Sequence, residues 1–118
     1  MAYYKLFLMT FILKSEWRIA MTITKTGSGN ALCLALEGRL DTTTAPQLEA
    51  TLKESLDGVA ELTLDMKELA YLSSAGLRVL LGAQKQMNKQ GKMVLTNVCD
   101  TIMEVFEVTG FADILTIE

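Results

Sequence analysis

The residues of this sequence with the clearest chemical potential lie in one short stretch, which reads Leu-Ser-Ser-Ala-Gly-Leu from Leu72 to Leu77. A serine just before a helix commonly caps it, because its hydroxyl accepts a hydrogen bond from an otherwise unpaired amide. The same place suits a phosphoserine, since a phosphate there meets free amides and the positive end of the helix dipole. Phosphorylation would add about −1.5 to −2 of charge and change the electrostatics of a docking surface. Spacing alone leaves both interpretations open.

The composition argues against most enzymatic chemistry. The chain has 118 residues, of which 50% are hydrophobic and 21% charged, and none is histidine. Ser-His-Asp and Cys-His catalysis and imidazole-dependent metal sites are therefore excluded. Cys33 and Cys99 form no Cys-x-x-Cys motif, and we expect reduced, mostly buried thiols of a cytoplasmic protein. No glycine-rich phosphate loop is present. We predict a protein that is not an enzyme and that needs no cofactor or metal.

The charge balance is acidic and its distribution argues against nucleic acid. Eleven basic residues stand against fourteen acidic ones, for a net charge of −3. No basic run provides a footprint for a phosphate backbone, so we expect no nucleic-acid partner.

The first twenty residues differ from the rest of the chain. The apolar run from Leu6 to Leu13 is far shorter than the roughly 20 residues of a membrane-spanning helix, so no direct membrane insertion is expected. No small-x-small cleavage site follows it, and Trp17 and Arg18 occupy that place. We interpret residues 1–20 as an N-terminal appendage or a mis-assigned start, with Met21 as a second possible start. Residues 21–118 form the predicted domain.

From residue 21 the hydrophobic period alternates between two and about 3.6. Ala31 to Leu36 is apolar throughout, which predicts a strand buried on both faces. Thr44 is the expected N-cap of the first helix, Tyr71 is expected in a loop, and Asp100 is the expected cap of the third helix. The predicted strands are 21–25, 31–36, 61–66, 92–98 and 114–117, and the predicted helices are 45–57, 74–90 and 100–110. The order β-β-α-β-α-β-α-β predicts an α/β fold with a mixed sheet and helices packed against it.

Residues 21–118 resemble a STAS domain of the anti-sigma factor antagonist family. Segments 36–41, 64–69 and 71–80 carry the resemblance in the family's order and spacing. It implies partner switching: the antagonist binds an anti-sigma factor that is also a serine kinase and so frees the sigma factor. Phosphorylation of a serine at the start of the second helix ends the binding, and a serine phosphatase restores it.

The family motif is Asp-Ser-[Ser/Thr/Ala]-Gly-Leu. Alignment on Gly76-Leu77 implies Ser74 as the phosphoacceptor, with Ser73 in place of the aspartate and a competing acceptor. Asp41 corresponds to the family's acidic residue near this serine, although an Asx turn or a helix cap explains it equally well. The implied partner-binding residues are Asp41, Leu72, Ser73, Ala75, Gly76 and Arg78.

Two other functions stay open from the sequence. A constitutive STAS subunit of a membrane transporter or other assembly would use the serine only as an N-cap, and its binding would not respond to phosphate. A domain that binds a nucleotide or another small ligand would use the same helix N-terminus, although no glycine-rich loop supports it.

Overall fold

The computed structural model describes residues 21–118, so the predicted appendage at residues 1–20 lies outside the described part of the chain. It contains one mixed sheet and three helices. The elements in chain order are β1 (Met21–Ser28), β2 (Ala31–Leu40), α1 (Ala45–Ser55), β3 (Glu61–Leu72), α2 (Ser74–Gln90), β4 (Lys92–Thr96) and α3 (Asp100–Thr109), followed by a 3-10 turn at Phe111–Asp113.

The sheet order β1-β2-β3-β4 follows the chain. β1 and β2 form an antiparallel hairpin, whereas β2, β3 and β4 run parallel. Because the two crossovers step across the sheet in the same direction, their usual right-handedness places α1 and α2 on the same face. Ile102 and Phe106 of α3 also enter the core cluster. The mixed α/β sheet predicted from the sequence is confirmed.

Packing on one face explains why the prediction for β2 was wrong. Leu32, Leu34 and Leu36 are buried in the core, whereas Cys33 and Ala35 on the other face are only half-buried. The strand thus alternates in burial although its sequence is apolar on both faces. Both cysteines are free thiols, but Cys99 is exposed, contrary to expectation.

β3 is longer than its sequence pattern suggested. The predicted strand ended at Met66, but pairing with β2 continues to Leu72, so Tyr71 lies in the strand and not in a loop. Register shifts between Ala35 and Glu37 and between Gly38 and Arg39 break the pairing. Such irregularities interrupt the two-residue period. The alternation that identifies a strand is therefore lost halfway along β3.

The carboxyl-terminal end contains less strand than predicted. The expected strand 114–117 is a single parallel bridge from Leu95 to Ile117, so the order is β-β-α-β-α-β-α. The Leu95 amide donates to the Thr116 carbonyl at 2.9 Å. Asp100 was predicted to cap α3, but it is the first helical residue, and Cys99 holds the N-cap position without a side-chain bond.

Candidate functional site

The carboxyl ends of β2 and β3 meet at one edge of the sheet. The parallel register pairs Leu40 with Leu72, and the Ser73 amide donates to the Leu40 carbonyl at 2.9 Å. Asp41 follows β2 directly and Ser74 follows β3 after one residue, so the topology brings these two residues to the same edge. We call the accessible part of this edge the carboxyl-edge surface, defined by Arg39, Asp41, Tyr71, Ser74 and Arg78.

The two serines at the start of α2 have different environments. Ser73 is half-buried and is the N-cap, and its Oγ accepts a hydrogen bond from the Gly76 amide at 3.4 Å. Ser74 is the first residue of the helix and is exposed. Within residues 21–118 its hydroxyl makes no hydrogen bond, so it is the more accessible of the two hydroxyls.

Of the six predicted partner-binding residues, only Arg78 is exposed, and Asp41 and Ser73 are half-buried. Leu72 is only 5% exposed and Gly76 is buried. A Cβ on Gly76 would lie 2.6 Å from Leu40 Cγ and 2.7 Å from Leu72 Cδ1, so a glycine lets the first turn of α2 approach the strand ends. Ala75 is half-buried beside them. Leu72 and Gly76 therefore help to position this edge, and their assignment to partner binding stays a prediction.

Asp41 organises the loop between β2 and α1. Its Oδ1 accepts hydrogen bonds from the Thr43 amide at 3.0 Å, from Thr43 Oγ1 at 2.7 Å and from the Thr44 amide at 3.2 Å. The Thr43 side-chain hydrogen bond is the largest influence on this carboxyl and, with the other loop hydrogen bonds, lowers the pKa of Asp41 below its ordinary value of 3.8. The Asx-turn interpretation of Asp41 is therefore confirmed.

Thr44 takes the N-cap position of α1 as predicted, but its hydroxyl does not cap the helix. Its Oγ1 donates to the Arg39 carbonyl at 2.6 Å and accepts from the Asp41 amide at 2.9 Å. The side chain thus ties the end of β2 to the start of α1, which fixes the loop that carries Asp41.

Sequence patterns did not predict the contact between Arg39 and Tyr71. The guanidinium carbon of Arg39 lies 4.1 Å from the centroid of the Tyr71 ring, in a cation–π arrangement. Arg39 Nε also lies 3.6 Å from Asp41 Oδ2. The register between β2 and β3 pairs Arg39 with Tyr71 directly. Only knowledge of that register would have identified the contact.

Arg78 lies one turn after Ser74 on the exposed side of α2. No acidic group within residues 21–118 lies within salt-bridge distance of it. The same part of the chain contains no group of three or more His, Cys, Asp or Glu residues placed to hold a metal ion. None of the three helices has the length and apolar character to cross a membrane.

The sequence pattern of the STAS domain matches residues 22–118. Among curated proteins, the chain is 38% identical over 99 residues to a putative anti-sigma factor antagonist, BtrV, of Bordetella bronchiseptica, covering 82% of this chain and 85% of that protein. It is 32% identical over 89 residues to the anti-sigma-B factor antagonist of Bacillus subtilis, covering 75% and 82%.

Solved structures show the same fold. The structure of the Bacillus cell fate determinant SpoIIAA in its phosphorylated form superimposes with a TM-score of 0.65 at 19% identity, covering 82% of this chain and 91% of that one. An anti-sigma factor antagonist from Mycobacterium paratuberculosis superimposes with a TM-score of 0.75 at 19% identity, covering 82% and 84%. At this level of identity the likeness concerns the fold alone.

Proposed function

The chain belongs to the STAS domain family, and from this premise we propose that it is an anti-sigma factor antagonist controlled by phosphorylation of Ser74. In its unphosphorylated form it binds an anti-sigma factor that is also a serine kinase. The kinase transfers the γ-phosphoryl group of ATP to Ser74 Oγ, which releases ADP and the hydroxyl proton and ends the binding. A serine phosphatase restores the active form.

The observation that carries this proposal is the difference between the two adjacent serines. Ser74 is exposed at the first position of α2, whereas the hydroxyl of Ser73 accepts a hydrogen bond from the Gly76 amide. A kinase needs an accessible hydroxyl. The Ser73 hydroxyl is half-buried and engaged with that amide, so a kinase would have to displace it from this position. Ser74 is therefore the better acceptor.

The substitution of the family's aspartate by Ser73 is compatible with the proposal. Serine and aspartate are about equally good N-cap residues. The side chain of Ser73 accepts from the Gly76 amide, so the start of α2 keeps its geometry without the carboxylate. What changes is the charge next to the acceptor, and we expect the cognate kinase to tolerate a neutral residue there.

The physical basis of release is the addition of negative charge to the carboxyl-edge surface, whose charged residues are Arg39, Asp41 and Arg78. A phosphate at Ser74 lies at the positive end of the α2 dipole, so it does not oppose the fold. Asp41 at the same edge is already ionised at neutral pH, as its lowered pKa shows. The phosphate adds about two negative charges to this edge, and an interface shaped for the hydroxyl then meets repulsion and steric block.

The proposal is tested by affinity capture from native lysate, with Ser74→Ala and Ser74→Asp as baits and mass spectrometry as the readout. We expect a kinase-type anti-sigma factor on the alanine bait and its loss, by about tenfold or more, from the aspartate bait. Thermal unfolding of both variants should stay close to that of the wild type, because Ser74 makes no hydrogen bond within residues 21–118.

The matched control exchanges the neighbouring serine. Wild type, Ser73→Ala and Ser74→Ala are incubated with the captured kinase and ATP, and peptides are mapped for phosphate. We expect modification of the wild type and of Ser73→Ala but not of Ser74→Ala. Phosphate on Ser73 alone would contradict the assignment. Equal capture of transporter subunits by both baits would instead favour a constitutive STAS subunit.

A further inference from the structure

We propose that a groove between α1 and α2 receives one apolar side chain of the anti-sigma factor, next to a carboxylate of the same partner that pairs with Arg78. This inference rests on the proposed function and names the chemistry of the partner surface. The contact would then run from Ser74 along α2 and onto α1.

The groove has a volume of about 210 Å³. Its floor consists of buried side chains, among them Leu52 of α1, Leu56 directly after α1, and Val79 and Ala83 of α2. Small-molecule sites usually occupy about 300–1,000 Å³, so this groove is too small for a typical ligand. Its size and apolar floor suit a single anchor residue of leucine, methionine or phenylalanine type.

The groove is continuous with the carboxyl-edge surface. Ser74, Arg78, Gly82 and Gln86 follow one another at intervals of four residues, and all four are exposed. Residues four apart are neighbours on the helix surface, so these positions form one row along the outside of α2. The last three line the groove. A partner that contacts Ser74 therefore reaches the groove within one helical turn.

The surface area that a stable complex must bury also favours a contact that extends from the carboxyl-edge surface along α2 to the groove. A typical specific interface buries about 800 Å² on each partner and involves roughly 20–30 residues. The five residues of the carboxyl-edge surface are too few for that. The outer row of α2 extends this surface without a break.

The glycine at position 82 is an independent indication that the groove is a binding site. A glycine in a helix interior disfavours the helix relative to alanine. At Gly76 the fold needs the missing side chain, because a Cβ would lie 2.6 Å from Leu40 Cγ. A Cβ on Gly82 would meet nothing within 4 Å in the described part of the chain. Gly82 therefore has no packing role in the described part of the chain. The absence of a side chain at this position leaves the groove open on the α2 side.

The charges at the rim specify the partner. Lys53 Nζ lies 3.2 Å from Glu49 Oε1, so these two rim residues neutralise each other within α1. Arg78 has no acidic group of residues 21–118 within salt-bridge distance. The unmatched charge at the groove is therefore positive, and the complementary surface carries a carboxylate beside its apolar anchor.

The first experiment places a photo-crosslinking benzoylphenylalanine in the full-length chain in native cells, at Gln86 for the groove and at Tyr71 for the carboxyl-edge surface. We expect both positions to crosslink to the same anti-sigma factor and both crosslinks to disappear in the Ser74→Asp background. A crosslink from Tyr71 alone would overturn the groove inference and leave the proposed function standing. If neither position crosslinks to an anti-sigma factor, both proposals fail.

The second experiment fills the groove. Gly82→Trp places an indole where the anchor would sit, and we expect it to weaken calorimetric binding to the purified anti-sigma factor by about tenfold or more. Val108→Trp is the matched control, because Val108 is 83% exposed on α3, away from the groove. That variant should bind like the wild type, and both should keep a cooperative thermal transition. Wild-type affinity in a folded Gly82→Trp protein would overturn the inference.

Discussion

The two edges of the sheet differ in how they use their polar groups. At the amino edge, the Ala60 amide donates to the Asn30 carbonyl at 2.8 Å and the Lys92 amide to the Ala60 carbonyl at 2.9 Å. Gln90 Nε2 adds 2.6 Å bonds to two further carbonyls in the loop after α1. At the carboxyl edge, Ser74 and Arg78 make no such bonds within residues 21–118.

This difference shows where the fold leaves room for a partner. Parallel strands enter the sheet at one edge and leave it at the other, so both edges need connecting segments. The amino edge satisfies its polar groups internally and holds the elements together. The carboxyl edge fixes its backbone with Ser73 and Thr44 and leaves Ser74 exposed. Changes at the amino edge should therefore affect stability alone, whereas changes at the carboxyl edge should separate stability from binding.

The largest effect is expected from Gly91→Ala at the amino edge. A Cβ on Gly91 would lie 1.8 Å from the Ala60 carbonyl oxygen, which belongs to backbone and cannot move aside easily. We expect a loss of about 2–3 kcal/mol in the free energy of unfolding, measured in urea. In Gly82→Ala the added Cβ meets open space, and the free energy should rise by about 0.5–1 kcal/mol. Equal unfolding midpoints for the two variants would contradict the close packing of this edge.

An intermediate effect should separate the two serines of the carboxyl edge. Ser73→Ala removes the hydroxyl that accepts from the Gly76 amide, and we expect a loss of about 1 kcal/mol in the free energy of unfolding. Ser74→Ala removes an exposed hydroxyl, so the change should stay within about 0.5 kcal/mol. Parallel urea titrations of the two variants would test this. A larger loss for Ser74→Ala would mean that Ser74 has a structural role.

The smallest effect concerns the pH dependence of the loop that contains Asp41. Because the pKa of this carboxyl is lowered by folding, its contribution to stability is present above the ordinary value of 3.8 and is lost as the pH falls through the folded pKa. Asp41→Asn should thus be less stable than the wild type at pH 7, by about 1 kcal/mol or less, and the gap should narrow below pH 3.8.

The control for this prediction is Thr43→Val, which removes the largest cause of the shift. Carboxyl carbon chemical shifts followed through an NMR titration should show a higher pKa for Asp41 in this variant. If the pKa stayed where it is in the wild type, the Thr43 hydroxyl would not be responsible for the shift.

Much of the fold could be predicted from local patterns in the sequence. The period of 3.6 in residues 74–90 identified α2 at the bounds that the structure shows. Thr44 and Pro46 placed the start of α1 correctly, because a fixed proline φ suits the first turn. The far half of β3 was missed, because irregular pairing with β2 leaves no periodic signal in the sequence. The strand predicted at 114–117 was overstated, because it is only a single bridge between Leu95 and Ile117.

The sequence by itself determined the order of the elements from β1 to α3, the serine pair before α2 and the exclusion of histidine-based chemistry, because these depend on residue type and local spacing. Only the tertiary structure decided which serine is accessible, that Leu72 and Gly76 are buried, and that Arg39 stacks on Tyr71. Those properties depend on the register between β2 and β3 and on the close approach of α2 to Leu40. They arise from contacts between residues some thirty positions apart in the chain, which local patterns do not encode.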